Sequence, residues 1–170
     1  FTKSCNYNFG LGCTKLGNIE EKRNIELGKR LYKKACDLKD GMGCFNSGIM
    51  EKKPKFKKEF YIKACNLNYP KACTNLGNIE EKSGKINEAK LIYKKACDLN
   101  HGMGCSNWGF LEYKANKREV AKKLFAKSCD LNFGEGCKNL GAFENEDGNK
   151  ALAKKYWKKA CSLGYKKACN

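Results

Sequence analysis

Residues 72–100 read ACTNLGNIEEKSGKINEAKLIYKKACDLN, and this stretch decides the fold. Its apolar residues recur at three-, four- and seven-residue steps with Lys, Glu and Asn between them, the period of an amphipathic helix. Strand-like alternation is absent. Gly84 breaks the pattern in the middle and Asn100 ends it, so the stretch predicts a helix A, a tight turn and a helix B. Outward from it, the same pattern fills the chain. After a cysteine comes Asn-Leu-Gly or a variant: Lys15-Leu16-Gly17, Asn46-Ser47-Gly48, Asn75-Leu76-Gly77, Asn107-Trp108-Gly109 and Asn139-Leu140-Gly141. About a dozen residues later an aromatic (Tyr32, Tyr61, Tyr93, Phe125 or Trp157) stands three places before Ala35, Ala64, Ala96, Ser128 or Ala160.

The cysteines carry the same period. Cys5, Cys13, Cys36, Cys44, Cys65, Cys73, Cys97, Cys105, Cys129, Cys137, Cys161 and Cys169 form six C-x7-C units, whose starts lie 31, 29, 32, 32 and 32 residues apart. Zinc sites favour shorter ligand gaps and further histidines, and the chain holds one His. An even number of cysteines reads as six disulfides and an oxidising compartment. Sequence alone does not settle connectivity in general, but the repeat favours pairing inside each unit. Each bridge would then join the end of one helix B to the start of the next helix A.

Repeat boundaries follow at 10–40, 41–69, 70–101, 102–133 and 134–165, with 1–9 as the end of a preceding repeat and 166–170 as the start of a following helix. The chain is read as one repeat domain that begins and ends in mid-repeat. The fold class is all-α: an α/α superhelix, a solenoid of helix-turn-helix repeats stapled by disulfides. The A-to-B turns carry Asn24, Gly84, Asn116 or Gly148, residues suited to a left-handed turn position. The five mid-helix glycines predict close helix approach, with Gly28, Ala89, Ala121 and Ala153 as the facing small residues. The second unit departs from the rule with Lys57.

Composition excludes other classes. The chain has 170 residues, 35 Lys+Arg, 18 Asp+Glu and a formal charge of +17, with 41% apolar residues. That apolar share supports a folded chain. No apolar run approaches the ~20 residues of a membrane-spanning helix. The charge permits an anionic surface or partner, yet Lys33, Lys34, Lys63, Lys94, Lys95, Lys158 and Lys159 are read as a solvated outer face of helix B. No nucleic-acid motif is present, and none is expected as a partner. No cofactor and no metal ligand set is expected, and a monomer is.

The run from Cys73 to Ala96 resembles the tetratricopeptide repeat. The C-x7-C staple and the K-A-C-D-L-N run are similar to the cysteine-rich Sel-one-like repeat proteins of the Helicobacter cysteine-rich family. The resemblance covers all six units, although the turn between helices is shorter here than in that family. It implies a secreted or periplasmic bacterial protein with a concave groove lined by helix A, and it implies either binding of a peptide or protein segment, including host interaction, or penicillin binding with weak β-lactamase activity. For the second, the serine motifs are missing: Ser47 is followed three places on by Met50, Ser83 by Ile86 and Ser106 by Gly109, where S-x-x-K needs Lys. No catalytic residue is assigned, and a non-enzymatic scaffold is expected.

Asn18, Asn46, Asn75, Asn78, Asn107 and Asn139 match positions that hold peptide backbone in tetratricopeptide proteins. An amide both donates and accepts, so a row of them suits the peptide groups of an extended ligand. Thr14, Phe45, Thr74, Phe110 and Tyr113 are the expected neighbours in that groove. The remaining alternative is adhesion to an anionic surface.

Overall fold

The computed structural model describes residues 1–169 and falls into two compact units, 1–79 and 80 onward. Among the described residues all regular structure is helical. The first unit contains α1 (Thr2–Asn6), α2 (Gly10–Glu20), α3 (Ile25–Asp37), α4 (Gly41–Met50), α5 (Pro54–Asn66) and most of α6 (Pro70–Lys82). The second contains the end of α6, then α7 (Ile86–Asp98), α8 (Gly102–Lys114), α9 (Arg118–Asp130), α10 (Gly134–Glu146) and α11 (Lys150–Ser162). Lys166–Ala168 form a single 3-10 turn, and Asn170 lies outside the described residues. In each unit consecutive helices pack as antiparallel neighbours: α2 on α3 and α4 on α5 in the first, α8 on α9 and α10 on α11 in the second.

Helix ends follow from single residues. Asn8, Lys39, Asn68, Asn100, Asn132 and Gly164 all adopt positive φ after a helix B. At Asn100 the backbone N–H reaches the carbonyl of Cys97 at 3.0 Å, and the next N–H, of His101, reaches that of Ala96 at 3.0 Å. This pair of bonds closes the helix by satisfying its last carbonyls. Gly84, Asn116 and Gly148 do the same after helix A. Asn24 differs from the expectation: its φ is −146°, and its side chain accepts from the N–H of Leu27. It starts α3 as a cap instead of ending α2 in the left-handed region, because an Asx side chain satisfies an orphan N–H equally well. Pro54 and Pro70 open α5 and α6, where a missing N–H costs nothing.

The mid-helix glycines answer to the aromatics as well as to the close approach of helix B. A Cβ on Gly17 would stand 2.6 Å from the Tyr32 ring, on Gly48 2.6 Å from Tyr61, and on Gly141 2.5 Å from the Trp157 indole. Gly28 faces Glu21. At Gly17, Gly48 and Gly141 the glycine makes room for its own repeat's aromatic, and at Gly141 the expected small residue is close as well, with the Ala153 carbonyl 3.2 Å from the same point. Tyr32, Tyr93 and Phe125 are buried.

Six disulfides join Cys5 to Cys13, Cys36 to Cys44, Cys65 to Cys73, Cys97 to Cys105, Cys129 to Cys137 and Cys161 to Cys169. The first five span the turn from one helix B into the next helix A, and the sixth joins α11 to the residue after the 3-10 turn, with Cα atoms 4.3–4.9 Å apart in all six. Six bridges of this kind belong to an oxidising, extracellular or periplasmic environment. Among the described residues no helix is long and apolar enough to cross a membrane.

Candidate functional site

In the first unit the structure brings two of the expected asparagines together. Asn46 on α4 donates through its amide to Asn18 Oδ1 on α2 at 3.2 Å. The Tyr32 hydroxyl lies 2.8 Å from the same Asn18 oxygen and 2.6 Å from Glu21 Oε2, sharing its proton between them. Burial, reinforced by the Glu21 carboxylate, pushes the Tyr32 phenol well above its ordinary value, so it stays a donor. Asn18, Glu21, Tyr32, Asn46, Ile49 and Met50 line one open depression. Among the described residues Asn46 makes no other hydrogen bond, which leaves its carbonyl oxygen and second N–H without a partner.

The second unit repeats part of this arrangement. The Tyr93 hydroxyl donates to Glu81 Oε2 at 2.7 Å, and the Asn107 amide bonds to the same hydroxyl. Burial, helped by Glu81, again raises the phenol. Asn139 accepts from Lys138 Nζ at 3.0 Å. Asn75 and Asn78 on α6 are half-buried, as are Asn46, Asn107 and Asn139, while Asn18 is exposed.

Other expected neighbours lie elsewhere. Thr14 is buried and donates to Asp40 Oδ1 at 2.8 Å, where that carboxylate also caps α4 through the N–H of Gly43. Thr74 is buried and bonds to the Pro70 carbonyl at 3.2 Å. Both threonines serve the fold and are withdrawn from the ligand face. Phe45 packs between Tyr61 and Tyr69, with ring centroids 5.8 and 5.0 Å away. Phe110 and Tyr113 remain about half exposed, each 45% accessible.

The tyrosine-glutamate-asparagine cluster was missed from sequence. Its signal was present: Glu21 and Glu81 stand four residues after Gly17 and Gly77, in repeats whose aromatic is tyrosine. A second row was also missed. Glu20, Glu51, Glu80, Glu112 and Glu144 each follow the mid-helix glycine by three residues. Glu80, Glu112 and Glu144 are buried. Lys90 on α7 reaches Glu112 at 3.1 Å, and Lys122 on α9 reaches Glu144 at 2.9 Å, so an ion pair links α7 to α8 and another links α9 to α10.

No sequence-family model matches the chain, and no curated protein matches it in sequence. Solved structures do match its fold. A protective antigen of uropathogenic Escherichia coli with an SLR fold superposes with a TM-score of 0.85 at 19% identity, over 98% of this chain and 41% of the antigen. The chain thus spans well under half of that protein. A Sel1 repeat protein from Oxalobacter formigenes gives 0.85 at 19% identity, over 95% of this chain and 76% of its own. YrrB, a tetratricopeptide protein with an unusual peptide-binding site, gives 0.56 at 19% identity, over 96% of this chain and 91% of its own. The chain therefore has the all-α fold of Sel1-like and tetratricopeptide repeat proteins. Its helix pairs and six bridges fit a cysteine-rich member of the Sel1-like class.

Proposed function

We propose that this chain is an exported bacterial scaffold, secreted or periplasmic, that holds a peptide or protein segment on its asparagine-bearing helix-A face. The observation that carries this is the Asn46–Asn18–Tyr32–Glu21 cluster. There the Asn46 amide is tethered by one hydrogen bond to Asn18 and keeps one donor and one acceptor for a ligand. Such a group matches a peptide unit and loses little side-chain entropy on binding, because it is already ordered. Among the fold's neighbours, YrrB is described as having a peptide-binding site. The disulfides support the exported location.

Binding to an array of random extended peptides tests it. Asn46→Ala and Asn75→Ala are expected to weaken capture by about tenfold together, since each removes a hydrogen bond of roughly 0.5–1.5 kcal/mol. Retention of full binding by the double variant would defeat the proposal. Capture that vanishes at 0.5 M salt regardless of these variants would assign it to the basic surface instead.

A further inference from the structure

The repeats agree with one another closely enough that a departure has meaning. Position 47 is serine where the other repeats place Leu16, Leu76, Trp108 and Leu140. Ser47 is 93% buried, at 7% exposure, and its hydroxyl has no hydrogen-bond partner among the described residues. A buried hydroxyl without a partner is costly, and native proteins seldom leave one so. In place of the missing leucine there is a cavity of about 120 Å³, lined by Lys29, Lys33, Ser47, Met50, Glu51 and Phe60.

The ion pair that closes the equivalent place in the second unit does not form here. By repeat position, Lys29 and Glu51 correspond to Lys90 and Glu112 and to Lys122 and Glu144. Lys29 instead pairs with Glu26 at 2.7 Å on its own helix. Glu51 Oε1 accepts from the backbone N–H of Lys53 at 2.9 Å, and among the described residues it makes no ion pair. Lys33 makes none either. Two departures, one of size and one of charge, thus leave an apolar hole rimmed by one unpaired carboxylate and one unpaired ammonium. The cavity opens toward α3 and α5, whereas Asn46, one residue before Ser47, turns to α2. Of its lining only Met50 also borders the Asn18–Asn46 depression.

We propose that this cavity binds a free aliphatic α-amino acid: its side chain in the space left by the absent leucine, its ammonium against Glu51 and its carboxylate against Lys33. The ligand's complementarity is in the order of its groups. Met50 and Phe60 supply apolar wall, and Ser47 gains a partner from the zwitterion. A carboxylate alone would leave Glu51 unanswered, and an ammonium alone would leave Lys33 so. A chain terminus of either kind meets half of the site.

NMR titration of the disulfide-bonded chain with L-leucine tests this. Leucine is expected to shift the backbone signals of residues 47–51 and 60 saturably, with a dissociation constant on the order of 1 mM. N-acetyl-leucine and leucinamide, each lacking one charge, are expected to bind about fivefold more weakly, as a partly exposed ion pair warrants. Glycine is expected to give no saturable shift. Ser47→Leu restores the residue of three of the other repeats and is expected to abolish binding with the fold intact, whereas Ser47→Ala keeps the hole but removes the hydroxyl's contact and is expected to weaken binding only about threefold. Glu51→Gln is expected to weaken leucine about fivefold and leave N-acetyl-leucine unchanged. The proposal is overturned if leucine gives no saturable shift, if Ser47→Leu binds as the native chain does, or if either capped analogue binds as tightly as leucine.

Discussion

The ammonium of Lys90 lies 3.1 Å from Glu112 Oε1, and this contact ties α7 to α8. The Glu112 side chain is only 8% exposed and Lys90 is 21% exposed. Trp108 Nε1 donates to the same carboxylate oxygen at 3.0 Å. Burial pushes the Glu112 carboxyl upward, but the hydrogen bonds from Trp108 and Lys90, with the charges of Lys90 and Lys117, outweigh it and hold it below the usual range. Lys90→Ala leaves a buried carboxylate without its main counter-charge and is expected to cost about 1–3 kcal/mol. Lys117, 3.7 Å away and 62% exposed, is expected to matter by less than ~0.5 kcal/mol when replaced. Urea unfolding of the two variants measures the contrast.

Acid should loosen the second unit through the neighbouring cluster of Glu144 and Asp147. Hydrogen bonds from Asn149 and Lys122 lower the Glu144 carboxyl, and those from Lys122 and Arg118 lower Asp147. A carboxyl lowered in the folded state adds stability above its unfolded value, near pH 4, and that stability is lost as pH falls through the folded value. The melting temperature is therefore expected to hold steady from pH 7 to about 5 and to fall below about pH 4.5. Lys122→Met is expected to flatten that fall, because both carboxyls then move back toward their ordinary values. Calorimetry across this range checks it, and an identical slope in the variant would count against it.

Glycine-to-alanine changes should rank by their distance to the aromatic. At Gly17, Gly48 and Gly141 the added Cβ would stand 2.5–2.6 Å from a ring, and the ring is held by its own packing. Each is expected to lose about 1–3 kcal/mol to overpacking. At Gly109 the nearest ring atom, on Phe125, is 3.1 Å away. There the helix propensity of alanine, worth up to ~1 kcal/mol, offsets most of the crowding. Thermal denaturation of the four single variants gives the order.

The bridges should differ in reactivity and in value. Cys97 and Cys105 are fully buried, whereas Cys169 is exposed and Cys161 half-buried. Thiol-disulfide exchange requires access to a sulfur, so Cys161–Cys169 is expected to reduce first under limiting phosphine, as read by alkylation and mass spectrometry. Replacing Cys97 and Cys105 together by Ala is expected to cost about 2–4 kcal/mol, and replacing Cys161 and Cys169 markedly less. Simultaneous reduction of all six bridges would contradict this order.

Much of the fold was legible because it is written in spacing. The helix period in residues 72–100, the left-handed residues Asn8, Lys39, Asn68, Asn100, Asn132 and Gly164, and the fixed gap between cysteines are local features, and local features survive in a linear string. The site was legible only in part. The helix-A asparagines could be named, but which of them hydrogen-bond inside the chain could not. Asn18 is occupied by Tyr32 and Asn46, and Asn107 by Tyr93. Thr14 looked like a groove residue until Asp40, 26 residues away, proved to be its partner.

By itself the sequence determined that the chain is a helical repeat and which residues end each helix B, since backbone preference and hydrophobic period act within a few neighbours. Tertiary structure alone decided three other things. The glycines answer to Tyr32, Tyr61 and Trp157, the Glu112 row pairs with the preceding helix, and Ser47 stands over an unfilled space. The reason is that burial and close packing are properties of contacts between turns of chain about thirty residues apart, and no single repeat contains both sides of such a contact.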